Sequence, residues 1–238
     1  MKASNLYTFI YASVMVILVA AVLSFAASQL KPYQDKNVEI AKKLDILKSV
    51  NLGNEANDAP DKDVYIEEEY DKYIPESLVV NGNGELVEGV DAFDIKIKEQ
   101  LDKDPADMTL PVFVCQRENG SSNYIFPVYG KGLWGPLWGY IAMEEDMVSI
   151  YGVTFDHKAE TPGLGAEINR NFFMDQFKGK KIFDQSDEFV SVVIVKGGAG
   201  DNPSGVDAIS GGTITSKALE ETIKECLENY VLYFNSKK

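Results

Sequence analysis

The chain is poor in the residues that carry most protein-based chemistry. It has two cysteines, Cys115 and Cys226, far apart and without CxxC spacing, which argues against a thiolate zinc or iron–sulfur site built by this chain alone. It has a single histidine, His157, so a histidine metal site or a serine–histidine triad has little to draw on. Basic residues are also scarce. There are 23 Lys and Arg against 37 Asp and Glu, a formal net charge of −14. That balance argues against nucleic acid as a partner, because its binding needs clustered cations that displace counterions. The acidity reads instead as solubility.

Charge is missing altogether between Lys2 and Lys31. The run from Leu6 to Ser28 is mostly Ile, Val, Leu, Ala and Phe, and at ~1.5 Å per residue it spans a bilayer core of ~30 Å. A cleaved signal peptide has an apolar core of only ~7–15 residues, so the run reads as a retained anchor. Ala20, Ser24 and Ser28 fall on one helix face, where small side chains allow a second helix to come close. Lys2 precedes the helix, and Lys31, Lys36, Lys42, Lys43 and Lys48 follow it. Taken literally, the positive-inside bias puts the remainder of the chain in the cytoplasm.

About 200 residues remain after the anchor, enough for one good-sized domain. Ile40, Leu44 and Leu47 predict a second helix over Asn37 to Leu52, with Asn37 at its start. The acidic stretch Glu55 to Glu76, centred on Glu67-Glu68-Glu69, reads as a solvated connector or a surface excursion. Leu78-Val79-Val80 and Glu85-Leu86-Val87 around Asn81-Gly82-Asn83-Gly84 predict a hairpin. Strands are expected over Leu110 to Cys115, Tyr124 to Tyr129, Leu137 to Met143, Met147 to Phe155 and Phe189 to Val195. A helix is expected near Pro162, with Leu164, Ile168 and Phe172 on one face and Phe173 and Phe177 alongside. Another is expected over Thr213 to Tyr233, with Leu219, Ile223, Leu227 and Tyr230 on one face. The fold class is α+β: one N-terminal transmembrane helix followed by a single mixed α/β domain.

Three glycine-rich stretches stand out. Asp207-Ala208-Ile209-Ser210-Gly211-Gly212-Thr213-Ile214-Thr215 precedes the last helix. A helix start offers free N–H groups and a positive dipole end that favour a phosphate. Gly211 and Gly212 leave room for it, and Thr213 and Thr215 add hydroxyls. The same residues also suit a plain N-cap, and the spacing alone leaves both open. Glu160-Thr161-Pro162-Gly163-Leu164-Gly165 heads the other expected helix, with Pro162 in its first turn and Thr161 as its cap. Gly130 to Tyr140 carries Leu133 and Trp134 among glycines, where an aromatic can stack on a flat ring or simply pack in a hairpin.

The pattern Asp207-x-x-Ser210-Gly211-x-Thr213 resembles the flavin attachment signature of the FMN-binding domain family, with Gly212 where alanine is usual. In that family the last threonine is joined through its oxygen to the FMN phosphate by a separate flavin transferase. The resemblance therefore implies covalent FMN on Thr213 as a phosphoester, with Thr215 as the fallback. Glu-Thr-Pro-Gly-Leu-Gly and Gly-Leu-Trp-Gly stand in the family's order behind one anchor. They are similar to motifs around the flavin in the C subunits of sodium-pumping NADH:quinone reductases and in their relatives, the G subunits of Rnf complexes. The segment Gly132 to Ala142 looks more like the former.

The resemblance implies three parts: 1–30, a transmembrane anchor; 31–76, a juxtamembrane helix and acidic connector; and 77–238, an FMN-binding domain. It also implies the cofactor-binding residues Thr213, Ser210, Gly211, Gly212, Thr215, Leu133, Trp134, Glu160, Thr161, Gly163, Leu164 and Gly165, with no catalytic side chain and no metal. The implied partners are the other subunits of the reductase, the flavin transferase during maturation, and the membrane. The family's placement is in the bacterial inner membrane by a single pass, with the domain on the periplasmic side against the local charge bias. No residue reads as a sodium site.

Overall fold

The computed structural model describes residues 5–238, so Lys2 lies outside the described residues. The chain forms two compact units, residues 1–42 and 43–238. The first unit is helical. Helix α1 (Asn5–Ser49) is unbroken and long and apolar enough to cross a membrane. Leu6, Phe9, Ile10, Val16, Ile17 and Phe25 are all more than half exposed, as expected of side chains that face lipid. The second helix expected from Asn37 does not start there. The chain runs helically through Pro32 and past Asn37, since a proline removes one N–H without obliging the helix to end. It stops after Ser49, where Asn51 (φ 59°) and Gly53 (φ 72°) take left-handed conformations.

The second unit is built on a five-stranded antiparallel meander, β1 (Glu76–Val80), β2 (Leu110–Gln116), β3 (Ser122–Lys131), β4 (Pro136–Met143) and β5 (Ile150–His157), in the order β1-β2-β3-β4-β5. Strand alternation decides its two faces. Phe126, Val128, Leu137, Ile141, Val153 and Phe155 share one face by register and enter one buried cluster with Leu219, Ile223, Leu227, Tyr230 and Phe234. Most of those last residues lie on α5 (Thr213–Glu228) and α6 (Val231–Lys237), so the expected final helix exists but breaks at Asn229-Tyr230. Phe126 meets Tyr230 and Phe234 edge-on at 4.9 Å each, contacts worth ~0.5–1.5 kcal/mol apiece beyond burial. Gly130 lets α5 lie directly on β3, since a Cβ there would sit 2.8 Å from the Thr222 Cβ.

The opposite face receives the end of α1, where a Cβ on Gly152 would meet the Ser49 carbonyl at 2.5 Å. The acidic stretch is more ordered than a connector. It contains a 3₁₀ turn (Asn54–Asn57) and helix α2 (Lys62–Tyr73), capped by Asp61, whose carboxylate accepts from the N–H groups of Asp63 and Val64. Ile66 anchors this helix in the interior while Glu68 stays exposed. The return arm at Leu86 makes only an isolated bridge to Val80; the full partner of β1 is β2. Its turn takes positive φ at Gly84 (80°), not at Gly82, and Asn81 Oδ1 holds it by accepting from Asn83 and Glu85. A short helix α3 (Ile97–Gln100) follows.

Two further expectations are corrected. No single helix follows Pro162. The segment splits into a 3₁₀ turn (Gly165–Asn169), one turn of helix α4 (Asn171–Met174) and a second 3₁₀ turn (Asp175–Phe177). Gly163 (φ 74°) and the extended Arg170 (ψ 143°) interrupt the helical run, so Ile168 is buried while Phe172 is 62% exposed. The strand expected over Phe189 to Val195 shrinks to β6 (Val193–Val195), because Ser191 takes φ 59°. It pairs in parallel with β7 (Gly205–Asp207).

Candidate functional site

The three glycine-rich stretches converge. β7 leads into a turn held at several points. Asp207 Oδ1 accepts from Ala199 N–H at 2.6 Å, Gly212 N–H donates to the Ile209 carbonyl at 3.0 Å, and Ile209 N–H donates to Ser216 Oγ at 3.1 Å. Gly211 has φ 76°, and a Cβ there would press on Leu164 at 2.6 Å. Glycine is favoured at 211 by this conformation, while the Leu164 methyl, at the end of a flexible and 42% exposed side chain, can move aside. Gly212 occupies the N-cap position of α5 and offers no side-chain cap. Thr213 is the first helical residue rather than the cap, and the first-turn N–H groups lack intrahelical partners.

Thr213 is half-buried and borders a groove of about 420 Å³, lined further by Lys131, Gly132, Leu133, Ile214, Lys217, Ala218 and one carboxylate, that of Glu221. The groove runs between the β3–β4 hairpin and the start of α5. Its chemistry suits an anion carrying a flat apolar ring. The start of a 16-residue helix and two exposed lysines share it with the threonine, and both favour negative charge. Leu133 is 49% exposed, Trp134 65%, Leu164 42% and Ile214 62%, an unusual share of bare apolar surface for so short a set of loops. The residues present therefore fit a ligand that joins a phosphate to a flat apolar ring.

The second shared feature is Glu160, only 4% exposed. Its Oε1 accepts from Trp134 N–H at 2.8 Å and its Oε2 from the Thr215 hydroxyl at 2.6 Å. Its own N–H donates to His157 Nδ1 at 3.2 Å. A Cβ at Gly132 would come 2.6 Å from Oε1, and one at Gly165 would come 2.6 Å from Oε2. The two glycines make the space for this carboxylate.

Nine of the twelve site residues named from sequence thus fall into two sets, and Thr161, Gly163 and Ser210 into neither. Thr213 and Leu133 share the groove, with Trp134 next to it at the hairpin tip and Leu164 against Gly211 and Gly212. Glu160, Thr215 and Gly165 lie beneath, turned toward each other. Thr215, the fallback attachment residue, is 2% exposed and its hydroxyl donates to Glu160. Thr161 does not cap a helix; it is exposed, and its carbonyl accepts from Leu164 and Ala166. Gly163 is exposed and donates to Glu167. Ser210 is exposed on a neighbouring groove shared with Phe172, Gln176 and Asp207. Lys131 and Ile214 lie inside the glycine-rich stretches without being singled out by the motifs, and Lys217 lies outside them. Lys217 follows Thr213 by four positions, one helical turn, and that spacing is a usable signal.

Both cysteines are buried free thiols. Burial pushes Cys226 up to about 11, and its thiol bonds to the Tyr129 backbone. No metal-binding group of side chains occurs among the described residues. A larger cavity, about 620 Å³, lies on the other sheet face among Asp45, Lys48, Thr154, Asp156 and Lys178 and contains none of the glycine-rich stretches.

A family model described as an FMN-binding domain matches residues 132–228, which include all of the groove's lining except Lys131. The C subunit of the Na(+)-translocating NADH-quinone reductase of Haemophilus ducreyi is 32% identical over 223 residues, covering 87% of this chain and 84% of that protein. The corresponding protein of Neisseria meningitidis serogroup A is 32% identical over 93% of this chain and 90% of its own length. The crystal structure of the Parabacteroides distasonis protein of the same name superposes with a TM-score of 0.77 at 42% identity, covering 88% of this chain and 98% of that one.

Proposed function

The chain belongs to the family of the C subunits of Na(+)-translocating NADH-quinone reductases, and from that membership we propose that it carries FMN joined to Thr213 and passes electrons within a membrane-bound, redox-driven sodium pump. FMN supplies the electron chemistry when bound; the protein holds it and sets its surroundings. The observation that carries the reading is the placement of Thr213 on the first turn of α5, in a groove with Lys131 and Lys217.

Each residue has a distinct part. Thr213 Oγ holds the phosphate, and Lys131, Lys217 and the helix start offset its charge. Leu133, Trp134 and Leu164 bound the ring. Ser210, Gly211 and Gly212 shape the turn, Thr161, Gly163 and Gly165 shape the facing loop, and Glu160 and Thr215 brace the two together. Attachment is a phosphoryl transfer without redox change. The Thr213 oxygen forms a P–O bond to the flavin phosphate, and a phosphoanhydride bond of a flavin dinucleotide donor breaks. The nucleoside monophosphate leaves, and the hydroxyl proton passes to a base of the transferase. The partners are that transferase, the other reductase subunits and the membrane. The sodium path belongs to those other subunits.

The domain faces the periplasm from the bacterial inner membrane. A tether is useful there, because a dissociable cofactor is diluted away. Protease added to intact spheroplasts should digest the domain; full protection would place it in the cytoplasm. The attachment itself is tested by producing the full chain with a flavin transferase and looking for flavin fluorescence on the denatured band. Fluorescence that disappears in Thr213→Val supports covalent flavin. A dark native band, with the transferase active on a control protein, would make the chain an anchored binding module instead.

A further inference from the structure

The two elements that form the Thr213 groove are tied together in two ways. Gly130 and Thr222 bring β3 and α5 into direct contact. Glu160 supplies the second tie, 26 residues from Trp134 and 55 from Thr215 in sequence and bonded to both. One bond holds the backbone of the hairpin tip that carries Leu133 and Trp134. The other holds the helical turn that carries Thr213. Hydrogen bonds to a carboxylate are roughly twice as strong as neutral ones, and the bond to Thr215 is buried while that to Trp134 is partly so. Glu160 does not border the groove itself, and each of its oxygens already has a protein donor.

We propose that Glu160 is a positioning residue that acts through the Trp134 N–H and the Thr215 hydroxyl. It sets the separation of the two groove walls, and it occupies the Thr215 hydroxyl so that Thr213 alone is available for modification. The proposal rests on the reading of Thr213 as the attachment residue. The chemistry also distinguishes two substitutions. Glu160→Gln keeps both ties in neutral form, since its amide oxygen can accept from Trp134 while its NH₂ donates to the Thr215 oxygen, which accepts in turn. Glu160→Ala cuts both.

The test uses the full chain produced with a flavin transferase. Peptide mass mapping gives the fraction of Thr213 and of Thr215 that carries flavin. Visible circular dichroism of the native protein reports how rigidly the ring is held. In flavin-free protein, the amide proton resonance of Trp134 reports the bond to Oε1. Glu160→Ala should lose roughly tenfold or more in Thr213 modification, lose the flavin dichroism, and move the Trp134 amide upfield. Glu160→Gln should restore most of the modification and dichroism. Thr215→Val should lower both in part, and adding it to Glu160→Ala should lower them no further. Native modification and dichroism in Glu160→Ala would overturn the proposal, even if that variant melts at a lower temperature. So would equal losses in the Gln and Ala variants with none in Thr215→Val, which would mean that the charge acts directly. If the wild-type chain takes no flavin, the Thr213 reading fails, and an unmoved Trp134 amide in Glu160→Ala then overturns the clamp separately.

Discussion

Thr215 gives its hydroxyl to Glu160 at 2.6 Å from a position 2% exposed, whereas Thr213, two residues earlier on the same turn, borders the open groove. Two hydroxyls of identical chemistry are thus given different fates. Thr215→Val should leave covalent flavin on residue 213, at a reduced level, while destabilising the domain by ~1–3 kcal/mol, because Glu160 Oε2 loses its donor. Denaturant titration and in-gel fluorescence on the same sample check both halves. Flavin lost from Thr215→Val but retained in Thr213→Val would reverse the assignment.

Lys131 and Lys217 differ in what else they hold. Lys217 pairs with Glu220 at 2.6 Å, which already offsets part of its charge. Lys131→Gln should therefore slow flavin attachment more than Lys217→Gln does. Exposed charge effects of ~0.3–1 kcal/mol correspond to about 2–5-fold. Initial rates measured at low and at high salt should converge toward those of the variants as salt rises.

Glycine substitutions separate space from conformation. A methyl group at Gly165 would intrude on Glu160 Oε2 at 2.6 Å, while one at Gly163 meets nothing within 4 Å and suffers only from φ 74°. Gly163→Ala should cost ~1–2 kcal/mol through backbone strain and leave the flavin dichroism intact. Gly165→Ala should cost ~1–3 kcal/mol through overpacking and disturb the dichroism as well. Equal spectra from the two variants would show that the Gly165 contact is unconnected to the cofactor.

Asp45, well past the apolar run of α1, predicts a pH effect remote from the flavin. Burial, and after it the Asp156 carboxylate, raises its pKa from 3.8 to about 6 against the opposing pull of Lys48. The folded state therefore holds this proton more tightly than the unfolded chain does. Below about pH 4 the group is protonated in both states, and its stabilising contribution is fully present. That stability is lost as pH rises from 3.8 through 6, by roughly 2–3 kcal/mol in total. Asp45→Asn should stabilise the domain at pH 7–8 by an amount of that order, and the gain should vanish near pH 4. A gain independent of pH would show that the carboxylate is not the cause.

The sheet was readable because its strands are short apolar runs bounded by plain turns such as that at Gly120 (φ 86°). The face of α5 was readable because Leu219, Ile223 and Leu227 repeat at helical spacing and are all fully buried. The Pro162 region misled for the same reason that α5 did not. Its apolar spacing is helical, yet Gly163 and Arg170 interrupt it, and no local pattern outweighs the tertiary packing that buries Phe173 and Phe177 instead of Phe172. In the acidic stretch, the run Glu67-Glu68-Glu69 hid a helix whose single buried anchor, Ile66, is too sparse to register as periodicity. At the site, the attachment turn was visible as a contiguous signature. Glu160 was visible as a residue of interest but not as a brace, because its two partners are distant in sequence and one of them is a backbone N–H.

The packing of Tyr230 and Phe234 against Phe126 has a consequence for biosynthesis. Tyr230 also donates its hydroxyl to the Pro111 carbonyl, 119 residues earlier. The meander from Leu110 to His157 therefore leaves the ribosome without the residues that cover its apolar face. At ~5–20 residues per second, about 6–25 s separate the synthesis of β2 from that of Phe234. During that interval the anchor is already complete, and the sheet is a nascent, uncovered surface. A chaperone or the translocation machinery has its opportunity then, and a ribosome stalled before residue 230 would leave an anchored chain whose domain cannot close.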